Sequence, residues 1–309
     1  MKITAMHRVL LLLTIVIALA ACTQQTPPTT VPTTAPPEAT AVPPTTAPTT
    51  APEATEARPT AAPTEPEATE APASGNVFSF NGIEFTIPEA VASGATAGLV
   101  PASQEEDAPE FAINPTFTEI ILLDYPIQDG FSDAMIQVFP VAEYVEMSET
   151  AGQRVQEMQA LLAEKPAAPE AEIPVLPLLG AAQVFHTQVQ YLDFANGSGV
   201  RFVTLYAQGV GPVTNQEIFY TYQGLTSDGA YWVSARLPVN VAFLPADAEA
   251  AENPSADDVA FPGWDADVEQ FESYYQAVAD KLNAAQADEF TPDLTDLDAM
   301  MQSLSIVAP

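Results

Sequence analysis

The sequence predicts an α+β fold in which an antiparallel meander sheet packs with helices. Four successive runs with period-2 alternation lie at about 183–194, 200–209, 216–226 and 230–237, and glycine-containing turns join them. This pattern is typical of consecutive antiparallel strands. Patterns with helical spacing lie before and after the block, whereas a doubly wound parallel sheet requires strands and helices to alternate along the chain.

The predicted strands begin with a hairpin near the start of this region. Asn81-Gly82 lies between two alternating runs, and this dipeptide is a strong hairpin signal because both residues accept positive φ. Two further strands are expected at 116–123 and 134–139.

Helices are predicted on both sides of the meander. The first is expected to begin at Thr150, which has the capping-box spacing to Gln153, and to end in the proline-rich connection 164–177. A long amphipathic helix is expected over 268–282. The last helix is expected to begin at Thr291-Pro292, with threonine as the cap and proline in the first turn.

This order of elements resembles the PsbP/Mog1-like α-β-α sandwich. The similarity rests on an N-terminal hairpin, a central meander and a closing helix in "LDAMMQSLSI", residues 297–306. It implies helices on both faces of the sheet. Members of that group include binding and assembly factors as well as lipoproteins, and fold alone does not select among functions.

The first 22 residues resemble the signal peptide and lipobox of bacterial lipoproteins. Lys2 and Arg8 precede the apolar run 9–20, which is too short to span a bilayer but typical of a signal peptide. The run ends in "LAAC", with small residues before Cys22. In that family the cysteine is acylated and the peptide is cut before it. The resemblance therefore implies a signal peptide at 1–21, lipid attachment at Cys22 and a position on the extracytoplasmic face of the cell membrane.

Residues 22–74 are predicted to be a disordered, lipid-anchored stalk. Proline and threonine make up more than half of this segment, alanine and glutamate most of the rest, and aromatic residues are absent. Such a composition cannot bury enough apolar area to offset its chain entropy, and its prolines favour extended polyproline II. Residues 75–309 are expected to form a single α+β extracytoplasmic domain.

The charge of residues 75–309 excludes one class of partner. Six of the 41 acidic residues precede residue 75, so 35 remain against five basic ones, and the net charge of this region is −30. Binding to nucleic acid requires positive charge to displace counterions from phosphates. No nucleic-acid partner is therefore expected, and the predicted contact with the membrane is the lipid anchor.

A His, an Asp and a Ser lie close together in the first hairpin of the meander. His186, Asp193 and Ser198 have the residue types of a hydrolase triad. On one strand, however, His186 and Asp193 would point to opposite faces and lie about 23 Å apart, at 3.3 Å per residue. A triad needs successive hydrogen bonds of about 3 Å. We therefore interpret the stretch as a structural hairpin and assign no catalytic residue.

The sequence contains no clear motif for a disulfide, a metal site, a catalytic nucleophile or a phosphate-binding loop. Cys22 is the only cysteine, which excludes an intrachain disulfide and a cysteine zinc cluster. Nucleophile-elbow, zinc-protease, phosphate-loop and EF-hand motifs are absent, so no cofactor and no metal are assigned. Carboxylate pairs for glycoside hydrolysis remain an open alternative, as does calcium binding by the acidic loops 104–110 and 246–258.

The last hairpin of the meander supplies the ligand-binding residues that the sequence suggests. If Asp228-Gly229 forms its turn, one face carries tyrosines and aliphatic residues and belongs to the core. The other face carries Trp232, Arg236 and Gln223. A tryptophan and an arginine on one sheet face suit a planar, sugar or carboxylate ligand. The alternative is that another element covers this face.

These observations favour a surface-exposed, non-catalytic lipoprotein that binds a protein or small-molecule partner or assists assembly. One alternative is an extracellular hydrolase that uses carboxylates on glycans. Another is the solute-binding lipoprotein of a transporter, although the meander lacks the repeated βα units expected of one.

Overall fold

The computed structural model describes residues 75–104, 107–255 and 258–307. The predicted signal peptide, Cys22 and the predicted stalk lie outside the described residues. Within the described ranges, no helix combines the length and the apolar character needed to cross a membrane.

The predicted N-terminal hairpin is confirmed. Strands β1 (Gly75–Phe80) and β2 (Ile83–Pro88) pair in antiparallel register. Asn81 and Gly82 form the turn with φ of 48° and 77°, the left-handed region that this dipeptide accepts at low cost.

Seven antiparallel strands form the main sheet. In chain order they are β3 (Gly94–Val100), β4 (Phe117–Leu123), β5 (Met135–Pro140), β6 (Ala182–Phe194), β7 (Gly197–Ala207), β8 (Phe219–Thr226) and β9 (Tyr231–Pro238). Their order across the sheet is β3-β4-β5-β9-β8-β7-β6. The α+β class, the strands before the meander and the meander itself are therefore confirmed, with boundaries that differ from the expected ones by at most three residues.

The turn between β6 and β7 is shorter than the sequence suggested. Gly197 and Gly199 lie within β7 rather than in the turn, which is at 195–196. A Cβ at Gly197 would overlap the Phe194 ring, and a Cβ at Gly199 would lie 2.5 Å from the Tyr222 ring. These glycines therefore allow close packing within the sheet, a requirement that turn propensity does not reveal.

Five α-helices complete the described residues, together with three short strands. The helices are α1 (Val141–Met147), α2 (Glu149–Glu164), α3 (Ala248–Ala251), α4 (Val268–Ala284) and α5 (Leu294–Gln302). The short strands are β10 (Asn240–Val241), β11 (Phe290–Thr291) and β12 (Ser305–Ile306). Strand β10 pairs with β11, and β12 adds to β2.

Two predicted helix starts are wrong. Helix α2 is capped by Ser148, whose Oγ accepts from the Ala151 amide at 3.1 Å, so Thr150 lies within the helix. Helix α5 is capped by Asp293 because Thr291 belongs to β11. In both cases a neighbouring Ser or Asp satisfies the free amides of the first turn, and sequence spacing did not discriminate between nearby candidates.

Helices cover both faces of the main sheet, which gives three layers. Helices α4 and α5, with the small β1-β2-β12 sheet, enclose a core that includes Tyr220, Tyr222 and Leu237. Helices α1 and α2 enclose the second core, on the opposite face, around Phe139 and Trp232. The predicted core face of the last hairpin is thus confirmed.

Candidate functional site

Trp232 and Gln223 lie in the interior. Trp232 is 0 % and Gln223 3 % exposed. The indole Nε1 donates to Gln223 Oε1 at 2.8 Å, and the same oxygen accepts from the Leu176 amide at 3.2 Å. Gln223 Nε2 donates to the hydroxyls of Thr221 and Ser234, both at 2.9 Å. Neither side chain is accessible for the ligand contact predicted from the sequence.

The segment that covers them is the proline-rich connection between α2 and β6. We call residues 165–181 the strap. Its residues 173–176 are buried in the core of the α1/α2 face, and the Leu176 amide contacts Gln223. The apolar residues in "EIPVLP", residues 172–177, are the feature of the sequence that could have indicated this burial. Periodicity could not reveal it because the strap has neither helical nor strand spacing.

Arg236 lies at the border of the covered area. It is half-buried and forms no hydrogen bond or ion pair with another described residue. Burial lowers its pKa, while the charge of Glu119 acts in the opposite direction. The cavity that Arg236 helps to line has a volume of only about 10 Å³, enough for one water molecule at most. Arg236 is thus the predicted binding residue that keeps some access to solvent.

The larger opening is a groove between α2 and the strap. We call it the strap groove, and its volume is about 640 Å³. Its apolar part consists of leucine, alanine and proline side chains, and its charged part of four glutamates and one arginine. The lining residues are Arg154, Glu157, Ala160, Leu161, Glu164, Pro166, Ala168, Pro169, Glu170, Ala171, Glu172 and Pro174.

The charge of the strap groove is negative. Arg154 Nη1 lies 2.9 Å from Glu157 Oε2, and its Nη2 lies 3.8 Å from Glu172 Oε2. Glu164 and Glu170 form no ion pair within the described residues. Two carboxylates therefore remain available to a cation, beside an apolar surface that water solvates poorly.

The predicted opposite orientation of His186 and Asp193 is wrong. A bulge between Thr187 and Gln190 changes the alternation of β6, so both residues lie on the same face of the sheet, paired with Thr204 and Ser198. Their side chains nevertheless contact different partners. His186 Nδ1 lies 3.0 Å from Gln183 Oε1, and Nε2 lies 2.9 Å from the Pro169 carbonyl oxygen. Asp193 Oδ1 lies 3.5 Å from Lys165 Nζ. Ser198 pairs with Asp193 across the hairpin, whereas His186 pairs with Thr204, six residues further along β7.

A buried ion pair lies on the opposite face of the sheet. Arg201 is 5 % and Asp298 8 % exposed, and Arg201 Nε donates to Asp298 Oδ1 at 3.0 Å. Tyr220 Oη donates to the same oxygen at 3.0 Å. Arg201 also donates to the Gln188 carbonyl, at a bulge in β6, and to Gln190 Oε1. The donors of Arg201 are used within the protein, so this cluster joins α5 to the sheet rather than contacting a ligand.

The acidic loops carry no ligand set in the part of the chain described. Among the described residues, no group of three or more His, Cys, Asp or Glu side chains is arranged to hold a metal ion. Residues 105–106 and 256–257 of those loops lie outside the description. Calcium binding by 104–110 or 246–258 therefore has no support from the described geometry.

Comparison of the chain with family models, with curated protein sequences and with solved structures found no match. The candidate site is therefore defined by the chemistry of the strap groove alone.

Proposed function

We propose that this chain is a lipid-anchored extracytoplasmic protein whose folded domain binds a partner through the strap groove without catalysing a reaction. The observation that carries the proposal is the groove itself, which combines a volume of about 640 Å³ with apolar side chains and four glutamates in its lining. Ligand sites are usually concave and mostly apolar, with a few convergent polar groups. The lipobox at Cys22 supports the anchoring.

The partner expected from this chemistry is cationic and amphipathic. Apolar side chains of the partner would pack on Leu161 and the prolines of the strap, and its lysines or arginines would face Glu164 and Glu170. The net charge of −30 over residues 75–309 attracts such a partner at long range and raises its association rate. Anionic ligands would meet repulsion from the same field.

A charge-reversal experiment tests the groove. The probe is a fluorescein-labelled amphipathic peptide with lysine and leucine at helical spacing, titrated into the full chain and followed by fluorescence anisotropy. The double variant Glu164→Lys/Glu170→Lys should raise the Kd by about tenfold or more, because it places two positive charges beside a cationic ligand. Added salt should weaken binding to the unmodified chain.

The matched control carries the same change in net charge elsewhere. Glu146→Lys/Glu272→Lys alters two exposed glutamates, on α1 and α4, that do not line the strap groove. It should raise the Kd by about threefold or less, since only the screened long-range attraction changes. Equal losses in the two double variants, or no saturable binding to the unmodified chain, would contradict the proposal.

The anchoring has its own test. Cys22→Ala should move the chain from the membrane fraction to the soluble fraction, because two or three acyl chains are needed for stable attachment and the variant carries none. Cys22→Ser is a second variant without a thiol and should behave in the same way. A Cys22→Ala chain that stays in the membrane fraction, or a mature protein that retains residues 1–21, would overturn the assignment.

A further inference from the structure

The two halves of the strap are held in different ways. Residues 173–176 are buried in the core, whereas none of residues 165–172 is buried. The exposed half is held by polar contacts: Tyr191 Oη donates to the Pro166 carbonyl at 3.1 Å, and a ring nitrogen of His186 meets the Pro169 carbonyl. Segments with few buried apolar contacts open locally at low free-energy cost. The wall of the strap groove therefore depends on these polar contacts.

Both ring nitrogens of His186 face hydrogen-bond acceptors. Nε2 lies 2.9 Å from the Pro169 carbonyl oxygen, and Nδ1 lies 3.0 Å from Gln183 Oε1. The orientation of the Gln183 amide is fixed by the backbone of Ile173, because Oε1 accepts from the Ile173 amide at 3.1 Å and Nε2 donates to its carbonyl at 3.3 Å. If the Gln183 amide rotated to place Nε2 beside His186, both of its hydrogen bonds to the Ile173 backbone would break.

A neutral imidazole cannot satisfy this arrangement. It carries one N–H, so one of its nitrogens must place a lone pair opposite an acceptor oxygen. The protonated ring carries two N–H groups and donates to both oxygens, and hydrogen bonds from a charged donor are the stronger kind. The geometry around His186 therefore matches the imidazolium form.

We propose that His186 is a pH-dependent latch of the strap groove, an inference that rests on the proposed function of that groove. When protonated, His186 donates to Gln183 and Pro169 and holds residues 165–172 against β6. When it loses its proton, one of the two contacts becomes repulsive and this half of the strap is released. Histidine is the side chain that ordinarily changes charge between pH 5 and 8.

Other titratable and polar groups lie near His186. From the strap, Glu170 follows Pro169 and Glu172 is held by Arg154. From β7, Arg201 lines the same small pocket as His186 but directs its charge to Asp298, and Tyr206 reaches Gln183 through a 2.6 Å hydrogen bond. Helix α4 contributes the uncharged Asn283 to that pocket.

The direction of the pH effect on the strap depends on which form of His186 makes both hydrogen bonds. Only the protonated ring donates to both oxygens, so we expect the strap to be held at low pH and released at higher pH. A held strap presents a preformed groove, and preorganisation lowers the cost of binding. The partner should therefore bind more tightly at pH 5.5 than at pH 7.5.

Strap mobility can be measured without any partner. A nitroxide spin label is placed at Ala167→Cys in the full chain with Cys22→Ser, and its electron paramagnetic resonance line shape is recorded at pH 5.5, 6.5 and 7.5. The ratio of mobile to immobile label should rise about fivefold from pH 5.5 to pH 7.5, because a charged hydrogen bond is replaced by a neutral or missing one. A label at Ala163→Cys, on the exposed side of α2, should show no such change.

Two variants separate the latch from general loosening. His186→Gln cannot change charge and should abolish the pH response. Tyr191→Phe removes the contact to Pro166 and should increase mobility at each pH while keeping the pH response. A wild-type line shape that is the same at pH 5.5 and 7.5, or a response that persists in His186→Gln, would overturn the latch.

The lysine–leucine peptide then links the latch to the groove. Its Kd should be about fivefold lower at pH 5.5 than at 7.5 for the unmodified chain and unchanged between the two for His186→Gln. If the strap responds to pH but the peptide does not bind, the latch stands and the proposed function of the groove fails. If the peptide binds equally at both pH values while the strap responds, the regulatory role fails and the groove remains.

Discussion

The buried polar side chains on the two faces of the main sheet are bonded in different ways. On the α4/α5 face, Arg201 and Asp298 form a buried ion pair whose remaining donors and acceptors are used by Tyr220 and β6. On the α1/α2 face, Gln223 accepts from Trp232 and from the Leu176 amide under the strap, and Arg236 at the border forms no ion pair with another described residue. One face thus contains a buried ion pair and the other a buried network of neutral hydrogen bonds.

This difference indicates which face of the sheet can change its local packing at the lower free-energy cost. Breaking a buried ion pair leaves an uncompensated charge, so the α4/α5 face has few alternatives to its native packing. The α1/α2 face is closed in part by a strap whose outer half contributes no buried residue, and the strap groove lies there. Binding sites tend to be placed on such low-stability segments.

The largest effect should come from the charged network. Arg201→Met should lower the free energy of unfolding by about 3–5 kcal/mol, because Asp298 would remain buried without its cation. Arg154→Met, which removes a partly exposed arginine from Glu157, is the control and should cost about 1 kcal/mol or less. Urea unfolding followed by circular dichroism gives both values. Similar losses in the two variants would remove the distinction between the faces.

A smaller loss is expected from the neutral network. Gln223→Leu leaves the Trp232 Nε1–H and the Leu176 N–H without their acceptor and should cost about 1–3 kcal/mol. The fluorescence of Trp232 should also change, and Trp264, which is 59 % exposed, provides an internal reference.

Gln137→Leu is the matched control for this prediction. Gln137 is also buried, on the same face and two strands away, but among the described residues its amide nitrogen is hydrogen-bonded only to the half-exposed Glu119. It should cost less than Gln223→Leu. The reverse order would show that the strap contact contributes little to stability.

The pH dependence of stability should differ between the faces through Asp298. Burial raises the pKa of this carboxyl, against the lowering effect of Arg201. The native state therefore keeps the proton to higher pH than the unfolded chain, and the contribution of Asp298 to stability falls as pH rises from about 4 through the raised native pKa. Asp298→Asn should remove this fall from urea unfolding measured between pH 3 and 7. Glu272→Gln, on the surface of α4, should leave it in place.

The smallest effect is expected at Arg236. Arg236→Met removes no hydrogen bond or ion pair to another described residue and relieves the cost of burying a charge, so the free energy of unfolding should change by about 1 kcal/mol or less in either direction. Arg236→Lys keeps the charge and serves as the comparison. A loss above about 2 kcal/mol would mean that the guanidinium is paired in solution, and the contrast with Arg201 would disappear.

The sequence predicted the fold well where the signal is local. Asn81-Gly82, the alternation in β6 to β9 and the apolar stripe of α4 each report a backbone geometry through neighbouring residues. Helix starts were less certain because Ser148 and Thr150 are both acceptable caps. The strand bounds expected from the sequence leave Gly197 and Gly199 outside β7, because their role depends on the Phe194 and Tyr222 rings, which only the folded sheet brings near.

The candidate site was the least predictable feature. Trp232, Gln223 and Arg236 were correctly placed on one face, but the strap that covers two of them has no periodicity. The strap groove is lined by residues of α2 and by strap residues as far as Pro174. These two segments lie side by side only in the folded chain.

The sequence by itself determined the α+β class, the alternation of core and non-core faces and the strongly negative charge. Composition and the spacing of apolar residues are properties of the sequence itself, so they do not depend on which distant segments pack together. Only the tertiary structure decided that Arg201 pairs with Asp298, 97 positions away, while Arg236 forms no ion pair with another described residue. It also decided that both ring nitrogens of His186 meet acceptors from Gln183 and the strap. Such pairings depend on which surfaces close over one another, and that is set by packing of the whole domain rather than by any local pattern.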